Sequence, residues 1–347
     1  MAVPRAGLQP ASLRWGWLAA GLVLLAAVML LGVIIGPADL DAGQVLRELF
    51  GSAFTDDASN LSSTQQAILW ELRLPRVVLG GLVGGMLGIA GGAYQGVFRN
   101  PLADPYLLGV AAGAGLGATL VIVGGTDTNT ALLPIAAFAG GTVAVALTYA
   151  IGRSIGGRSA TTIILAGVAV AAFFTALQTY LQQQNLETVR QVYTWILGRL
   201  TTTGWSEVLV LLPYVIVSTV VLLFHRRLLD ALSVGDAEAD ALGVPTGRVR
   251  AIVIVFATLG TAAAVAVSGL IAFVGLIVPH TVRLIVGASY RTLLPMSAVL
   301  GAAFLILADL TARTIASPAE LPIGVITAFV GAPFFGLILR TSRRVIS

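Results

Sequence analysis

LRLPRVVLGGLVGGMLGIAGGAYQGVFRNPLADPYLLGV, running from Leu72 to Val110, decides how the rest of the chain is read. Its first half is an apolar helix candidate with glycine at every fourth position: Gly80, Gly84, Gly88, Gly92 and Gly96. Residues four apart share one helix face, so this helix carries a stripe without side chains. In water each such glycine costs about 1 kcal/mol relative to alanine. In a bilayer the backbone has no water to bond and must satisfy itself, so the helix persists. The bare stripe then admits neighbouring helices to backbone contact. Simple helix packing and the lining of a pathway both accommodate it. After the stripe, Arg99-Asn100-Pro101-Leu102-Ala103-Asp104-Pro105 ends the helix, because each proline drives its preceding residue away from helical geometry. A second apolar helix is expected from Tyr106.

Composition sets the class. The 347 residues are 57% hydrophobic and only 10% charged, where a soluble domain carries roughly 25% charged residues. The chain reads as an all-α polytopic membrane protein. Cysteine is absent, so no disulfide framework, thiol nucleophile or cysteine-based metal site is available. Every basic residue is arginine, and the formal charge of +4 reads as membrane topology, not as nucleic-acid binding. The first apolar run reads as a retained span, not a cleavable signal.

Ten spans are expected: 15–35, 75–97, 106–124, 131–152, 162–181, 205–224, 249–268, 274–287 (short), 293–312 and 322–340. They follow a basic lead, residues 1–14. The polar interval 37–72 is the longest near the start. No intervening segment is large enough for a soluble domain, so residues 1–347 read as one transmembrane unit. With the N-terminus inside, fourteen arginines fall at the inner side, namely 5, 14, 99, 153, 158, 226, 227, 248, 250, 283, 291, 340, 343 and 344. Six fall outside: Arg47, Arg73, Arg76, Arg190, Arg199 and Arg313. That asymmetry obeys the positive-inside rule and places both termini in the cytoplasm.

Few chemistries remain open. An ion-driven carrier keeps ionisable groups at membrane depth, and Asp309 is read as the one acid within a span. HExxH does not occur, and nothing would activate a Ser268–His280 pair. Gly113-Ala114-Gly115-Leu116-Gly117-Ala118 matches GxGxxA but has no preceding strand, so it reads as helix packing. A P-loop needs lysine, and the chain has none. Energy for transport would therefore come from another polypeptide. A contact for it is offered by the loop 225–250, HRRLLDALSVGDAEADALGVPTGRVR. It reads as a short helix from Arg227 to Leu232, a break at Gly235, and a second helix from Asp236 to Leu242. Asp236 is the expected N-cap and Gly243 the C-cap.

Six blocks then carry a family resemblance: LRLPR (72–76), NPLADP (100–105) followed by LLGV, GDAEADALGV (235–244), SGLIAFVGLIVPHTVRLIVG (268–287), LLPMSAVLGAAFLILADLTAR (293–313) and ELPIGVITAFVGAPFF (320–335). Together they resemble the permease subunits of ABC importers for iron–siderophores, haem and cobalamin, the FecCD type of type II importer. The resemblance implies a ten-helix, non-catalytic permease in the bacterial cytoplasmic membrane, working as a homodimer or as a pair of related permeases. It implies two separate ATPase subunits that use ATP and Mg, with no cofactor on this chain. It also implies a periplasmic or lipid-anchored binding protein, contact with membrane lipids, and no nucleic acid. Iron–siderophore is the first reading of the cargo, with haem or cobalamin as alternatives and an ion-coupled carrier as the disfavoured one.

By the same resemblance, residues Leu228–Gly243 form the region coupled to the ATPase, with Leu228, Gly235, Asp236, Ala237, Glu238, Ala239, Leu242 and Gly243 as its candidate residues. Arg73, Arg76 and Arg313 would receive acids of the binding protein. The segment from Ser268 to His280 would be a broken helix near the pathway. His280, a lone histidine after Pro279, reads as a helix-end hydrogen-bonding residue before it reads as a haem ligand. Gln178 and Gln182, with Gln183, Gln184 and Asn185, end the fifth span on its outer side and could line an entrance for a polar chelate.

The orientation can be checked directly, since no native cysteine interferes. Cysteines introduced at 127 and 156 should label oppositely with an impermeant thiol reagent in intact cells. Labelling of 156 and protection of 127 would reverse the assigned topology.

Overall fold

The computed structural model describes residues 15–54, 61–125, 132–154, 160–202 and 204–343. The lead 1–14, Asp127, position 156, Arg158 and Arg344 lie outside them. The described residues form α1 Trp15–Ile34, α2 Ala42–Phe54, α3 Ser63–Ala67, α4 Leu74–Phe98, α5 Val110–Val123, α6 Leu132–Ser154 and α7 Ala160–Gln184. They continue as α8 Val189–Ile196, α9 Ser206–Leu232, α10 Asp236–Ala241, α11 Thr246–Ser268, α12 Val274–Val286, α13 Tyr290–Thr314 and α14 Ile323–Arg343. No strand occurs among the described residues. Ten of these helices fall where ten spans are expected. Seven are long and apolar enough to cross a membrane unaided, while α5, α12 and the described part of α14 are shorter.

The glycine helix α4 is the axis. It packs along α13 and is enclosed by α9, α11 and α12, while α5, α6 and α7 form a second group joined to it through α11. Nearly all of α4 from Val83 onward is buried. A helix that is apolar all round belongs in such a position. The stripe itself faces α13. A Cβ at Gly84 would collide with the Gly301 carbonyl oxygen, and one at Gly301 with the Gly84 carbonyl oxygen. At Gly88 the obstacle is the Ser297 carbonyl, at Gly92 the side chains of Leu293 and Leu294, and at Gly96 the Tyr290 ring. Gly80 lies against Leu200 and Ile306. The five glycines therefore serve packing. The GxGxxA run does the same on α5, where Gly113 and Gly117 abut the carbonyls of Gly140 and Ala136 on α6.

Outward faces are apolar, as lipid requires. Leu165, Val168 and Phe173 on α7, Leu22 and Val23 on α1, and Val220 and Phe224 on α9 are exposed.

Three elements depart from the sequence expectation. The helix expected from 75 begins twelve residues earlier, at Ser63 behind the Ser62–Gln65 capping box, and reaches Leu74 through a π-helical turn, Ile68–Arg73. In that turn the Leu74 N–H bonds the Leu69 carbonyl, and the wider register tolerates Pro75, which lacks an N–H of its own. The helix expected at 227–232 is the continuous end of α9. The break after α11 is real, with Gly269 and Phe273 both in the left-handed region (φ 70°), but Pro279 and His280 lie inside α12, not at its end.

These contacts give a prediction with an unusual sign. In an open helix, glycine to alanine stabilises by about 1 kcal/mol. Gly84→Ala or Gly88→Ala should instead destabilise by about 1–3 kcal/mol, since both force α4 off α13. Gly81→Ala, whose Cβ would meet only Ile306 Cδ1 at 3.6 Å, should be neutral or stabilising. Thermal unfolding of the detergent-solubilised variants measures this, and equal midpoints for Gly81→Ala and Gly84→Ala would refute the backbone-contact reading.

Candidate functional site

Three constellations carry the polar chemistry. The first lies where α4 begins and α13 ends. Arg76 binds two acids at once, Asp309 on α13 (Nη2–Oδ1 2.8 Å) and Glu320 beyond it (Nη1–Oε1 2.9 Å). Arg313, one turn after Asp309, lies 3.5 Å from its other oxygen. Arg73 turns elsewhere. Its guanidinium donates to the carbonyls of Val33 (2.9 Å), Ile34 (2.6 Å) and Ala38, and Arg313 donates to Gly32. The last carbonyls of a helix have no partner within it and form its negative end. Arg73 and Arg313 therefore cap the C-terminus of α1.

That geometry corrects the docking expectation. Arg73 is 4% exposed and Arg313 2%, so neither is presented to a partner, and their charges are committed to the α1 carbonyls and Asp309. Arg76 remains at the rim beside the half-exposed Glu320. The expectation of Asp309 as the sole acid within a span also needs amendment, because Glu207 lies in the first turn of α9.

The second constellation joins the turn after α4 to the break after α11. Arg99 ends α4 in the left-handed conformation (φ 49°). The Asn100 side chain accepts from the Leu102 N–H at 2.9 Å, and Asp104 accepts from the Tyr106 N–H at 2.8 Å, opening a 3-10 turn, Pro105–Leu108. The Tyr106 hydroxyl then donates to the Ile271 carbonyl (3.0 Å) and accepts from the Ile271 N–H (3.1 Å). Pro105 fills the space beside Gly275 on α12, where a Cβ would lie 2.6 Å from Pro105 Cδ. His280 sets its ring edge-on to Phe334 of α14, 6.1 Å between centroids, and its Nδ1 is buried without a hydrogen-bond partner among the described residues. Gln178 is buried against Gly115 of α5, Gln182 is half-buried, and Gln183 and Gln184 are exposed. The polar patch is thus divided between a packing residue and a free helix end. Among the described residues no group of three or more His, Cys, Asp or Glu could hold a metal ion.

The third constellation is the loop between α9 and α11. Asp236 does not cap α10; Gly235 holds that position at φ 144° and Asp236 is the first helical residue. Its carboxylate instead pairs with Arg250 of α11 (3.0 Å) and Arg99 at the end of α4 (3.6 Å). Gly243 adopts φ 78° after the helix, and the Val244 N–H returns to the Ala239 carbonyl at 3.0 Å, the expected glycine stop. Ala239 is 0% exposed and packs into the main core. As a candidate coupling residue Ala239 is therefore corrected: it faces the chain's own core and is not presented to a partner. Ala237, Glu238, Gly243 and Leu242 are exposed, Leu242 at 72%, while Gly235 is buried and Leu228 packs against the core.

Asp230 escaped the sequence reading. It accepts from the Tyr290 N–H (2.7 Å) and from Ser289 Oγ (3.0 Å), and lies 3.5 Å from Arg291, so it caps α13 from the end of α9. Its partners are some sixty positions away, and no local pattern announces them.

The chain is similar to known proteins over most of its length. Residues 23–341 match the FecCD transport family, and the chain belongs to it. It is 43% identical to the cobalamin import system permease protein BtuC of Halobacterium salinarum, over 80% of this chain and 74% of that one. To the iron(3+)-hydroxamate import system permease protein FhuB of Bacillus subtilis it is 35% identical, over 94% and 83%. A solved chain described as an inward-facing conformation of a metal-chelate type ABC transporter superposes with a TM-score of 0.81 at 31% identity, covering 93% of this chain and 98% of that one. The protein is thus a non-catalytic, multi-pass permease subunit of the ABC importers for metal chelates, with ATP hydrolysis residing in a separate subunit.

The arginine cluster can be tested by removing one charge. Asp309→Asn leaves Arg76 and Arg313 without their shared buried counterion and should cost about 3–5 kcal/mol. Glu320→Gln, at the exposed rim, should cost no more than about 1 kcal/mol. Thermal unfolding of the two variants should separate them clearly; similar losses would mean the cluster is not a buried unit.

Proposed function

We propose that residues 1–347 form the permease unit of an ATP-driven importer of a metal chelate in the bacterial cytoplasmic membrane, with both termini in the cytoplasm. Two copies assemble with two ATPase subunits, which use ATP and Mg, and receive cargo from a periplasmic or lipid-anchored binding protein. The supporting observation is α10. It is too short to be stable alone, yet it is pinned by Asp236 to two membrane helices while Leu242 and Ala237 face outward. A connector needs neither the pins nor an exposed leucine; a surface that receives a push from another subunit needs both.

Iron–siderophore is the first choice of cargo. The iron-hydroxamate and cobalamin names among the relatives support the chelate class without separating its members. The second copy rests on the family resemblance; the exposed apolar faces of α7 and α14, including Phe173 and Phe329, suit either lipid or that copy. Docking of the binding protein is kept for Arg76, at the rim, where a docking acid would have to join or displace Glu320, with Arg73 and Arg313 holding α1 in place behind it. The arginine surplus at the α10 end supports a cytoplasmic position for that end.

Ala239→Trp would break the core, so the coupling test falls on exposed neighbours. Leu242→Asp and Ala237→Trp should each reduce ATP-driven uptake in proteoliposomes at least about tenfold, by losing or overpacking one fitted contact per subunit. Both variants should remain folded, with unchanged thermal midpoints, but lose copurification of the ATPase. Full uptake in both would reduce the loop to a connector, and uptake by the permease alone under an ion gradient would make the protein a secondary carrier.

A further inference from the structure

Beside α10 lies a cavity that the transport reading does not use. It has a volume of about 490 Å³ and sits between the end of α6, the start of α7 and the start of α11. Three arginines line it, Arg153, Arg248 and Arg250, against one lining acid, Asp240. Two of these four groups are already engaged. Arg250 pairs with Asp236 at 3.0 Å, and Asp240 accepts from Thr246 Oγ1 at 2.9 Å. Arg153 and Arg248 have no carboxylate partner among the described residues, and both are exposed. Arg153 instead lies over the Tyr149 ring, 5.9 Å from its centroid. That contact orients the guanidinium while leaving its N–H groups free.

We propose that this cavity binds the phosphate headgroup of an anionic phospholipid from the leaflet at the α10 end. Its mixed walls favour a lipid over a free anion. Arg153 is in the last turn of the membrane-crossing α6, and Ile163 is at the start of α7. Tyr149, one turn earlier in α6, and the buried Ile163 give the cavity an apolar wall. The opposite wall is polar, formed by Thr246, Gly247 and Arg248, which open α11. A headgroup with acyl chains matches both walls at once, since arginine forks bind phosphate oxygens in pairs. Basic pockets between membrane helices take up anionic headgroups for this reason. The bound lipid would join α6 to the segment that carries α10, so its headgroup charge acts where α10 meets α11.

The test uses the full-length permease, purified in mild detergent and examined by native mass spectrometry with added phosphatidylglycerol or phosphatidylcholine. The unaltered chain should retain phosphatidylglycerol selectively. The double variant Arg153→Gln/Arg248→Gln should bind it at least about tenfold more weakly, through loss of two charge-assisted contacts. Arg226→Gln/Arg227→Gln removes the same charge elsewhere at that end and should bind as the unaltered chain does. Photo-crosslinkable phosphatidylglycerol offers a readout without mutation, and should label peptides containing Tyr149 or Thr246. Equal binding in all three forms, equal loss in both double variants, or crosslinks confined to other helices would overturn the site. Displacement of the lipid by millimolar inorganic phosphate would assign the cavity to a soluble anion and overturn the lipid.

Discussion

The contact on which this structure depends is the close approach of α4 and α13, backbone against backbone. Gly84 and Gly301 obstruct one another reciprocally, each blocked by the other's carbonyl. A membrane offers no hydrophobic gain for joining two apolar helices, because lipid is as apolar as leucine. Dispersion between closely fitted backbones must supply the attraction, and its range is short. The glycine stripe gives that fit over several turns. Because α4 is held so tightly on one side, α9, α11 and α12 can close round its other faces and bury it.

Close packing leaves polar groups with few places to go, and the two ends of the bundle deal with this differently. Where α1 ends, its unpaired carbonyls would lie buried without water. Two arginines from other helices, Arg73 and Arg313, supply the donors. At the opposite end acids take the linking role, Asp230 capping α13 and Asp236 joining α4 to α11. For Arg73, Arg313 and Asp230 the charge satisfies a particular helix end, while Asp236 ties two helices through their arginines. With the N-terminus inside, Arg73 and Arg313 would fall on the outer side, and the task of satisfying the α1 carbonyls accounts for two charges there.

The positions of the ten apolar helices and the α11–α12 break were legible because they depend on local pattern: apolar run length, glycine spacing and proline. Gly243 was legible for the same reason, since the end of α10 needs a left-handed residue. What escaped was set by partners distant in sequence. Arg73, Arg76 and Arg313 read as one exposed group, yet two cap a helix some forty to two hundred and eighty positions away. Ala239 read as a small residue suited to an external contact. It is small because the chain's own core closes over it. Small size signals close approach but does not say to what.

These long-range ties also define a closed mechanical path. From α10, Asp236 reaches Arg99 at the end of α4 and Arg250 near the start of α11. Beyond Arg99 the chain turns through Asn100–Asp104 to Tyr106, whose hydroxyl holds both backbone groups of Ile271. Beyond Arg250, α11 runs without interruption to Ser268 and enters the same break from its other side. Two routes therefore lead from α10 to one hydrogen-bonded joint, one through the non-helical turn after α4 and one along α11, and the joint is a segment where two residues occupy left-handed backbone. Helices transmit displacement along their axes, whereas a non-helical segment between them can change its torsions at much smaller cost. A push on α10 that shifted α4 and α11 unequally would be taken up in the non-helical segments of these routes, Asn100–Asp104 and Gly269–Phe273. Tyr106 decides how far the second segment can move before its two hydrogen bonds break.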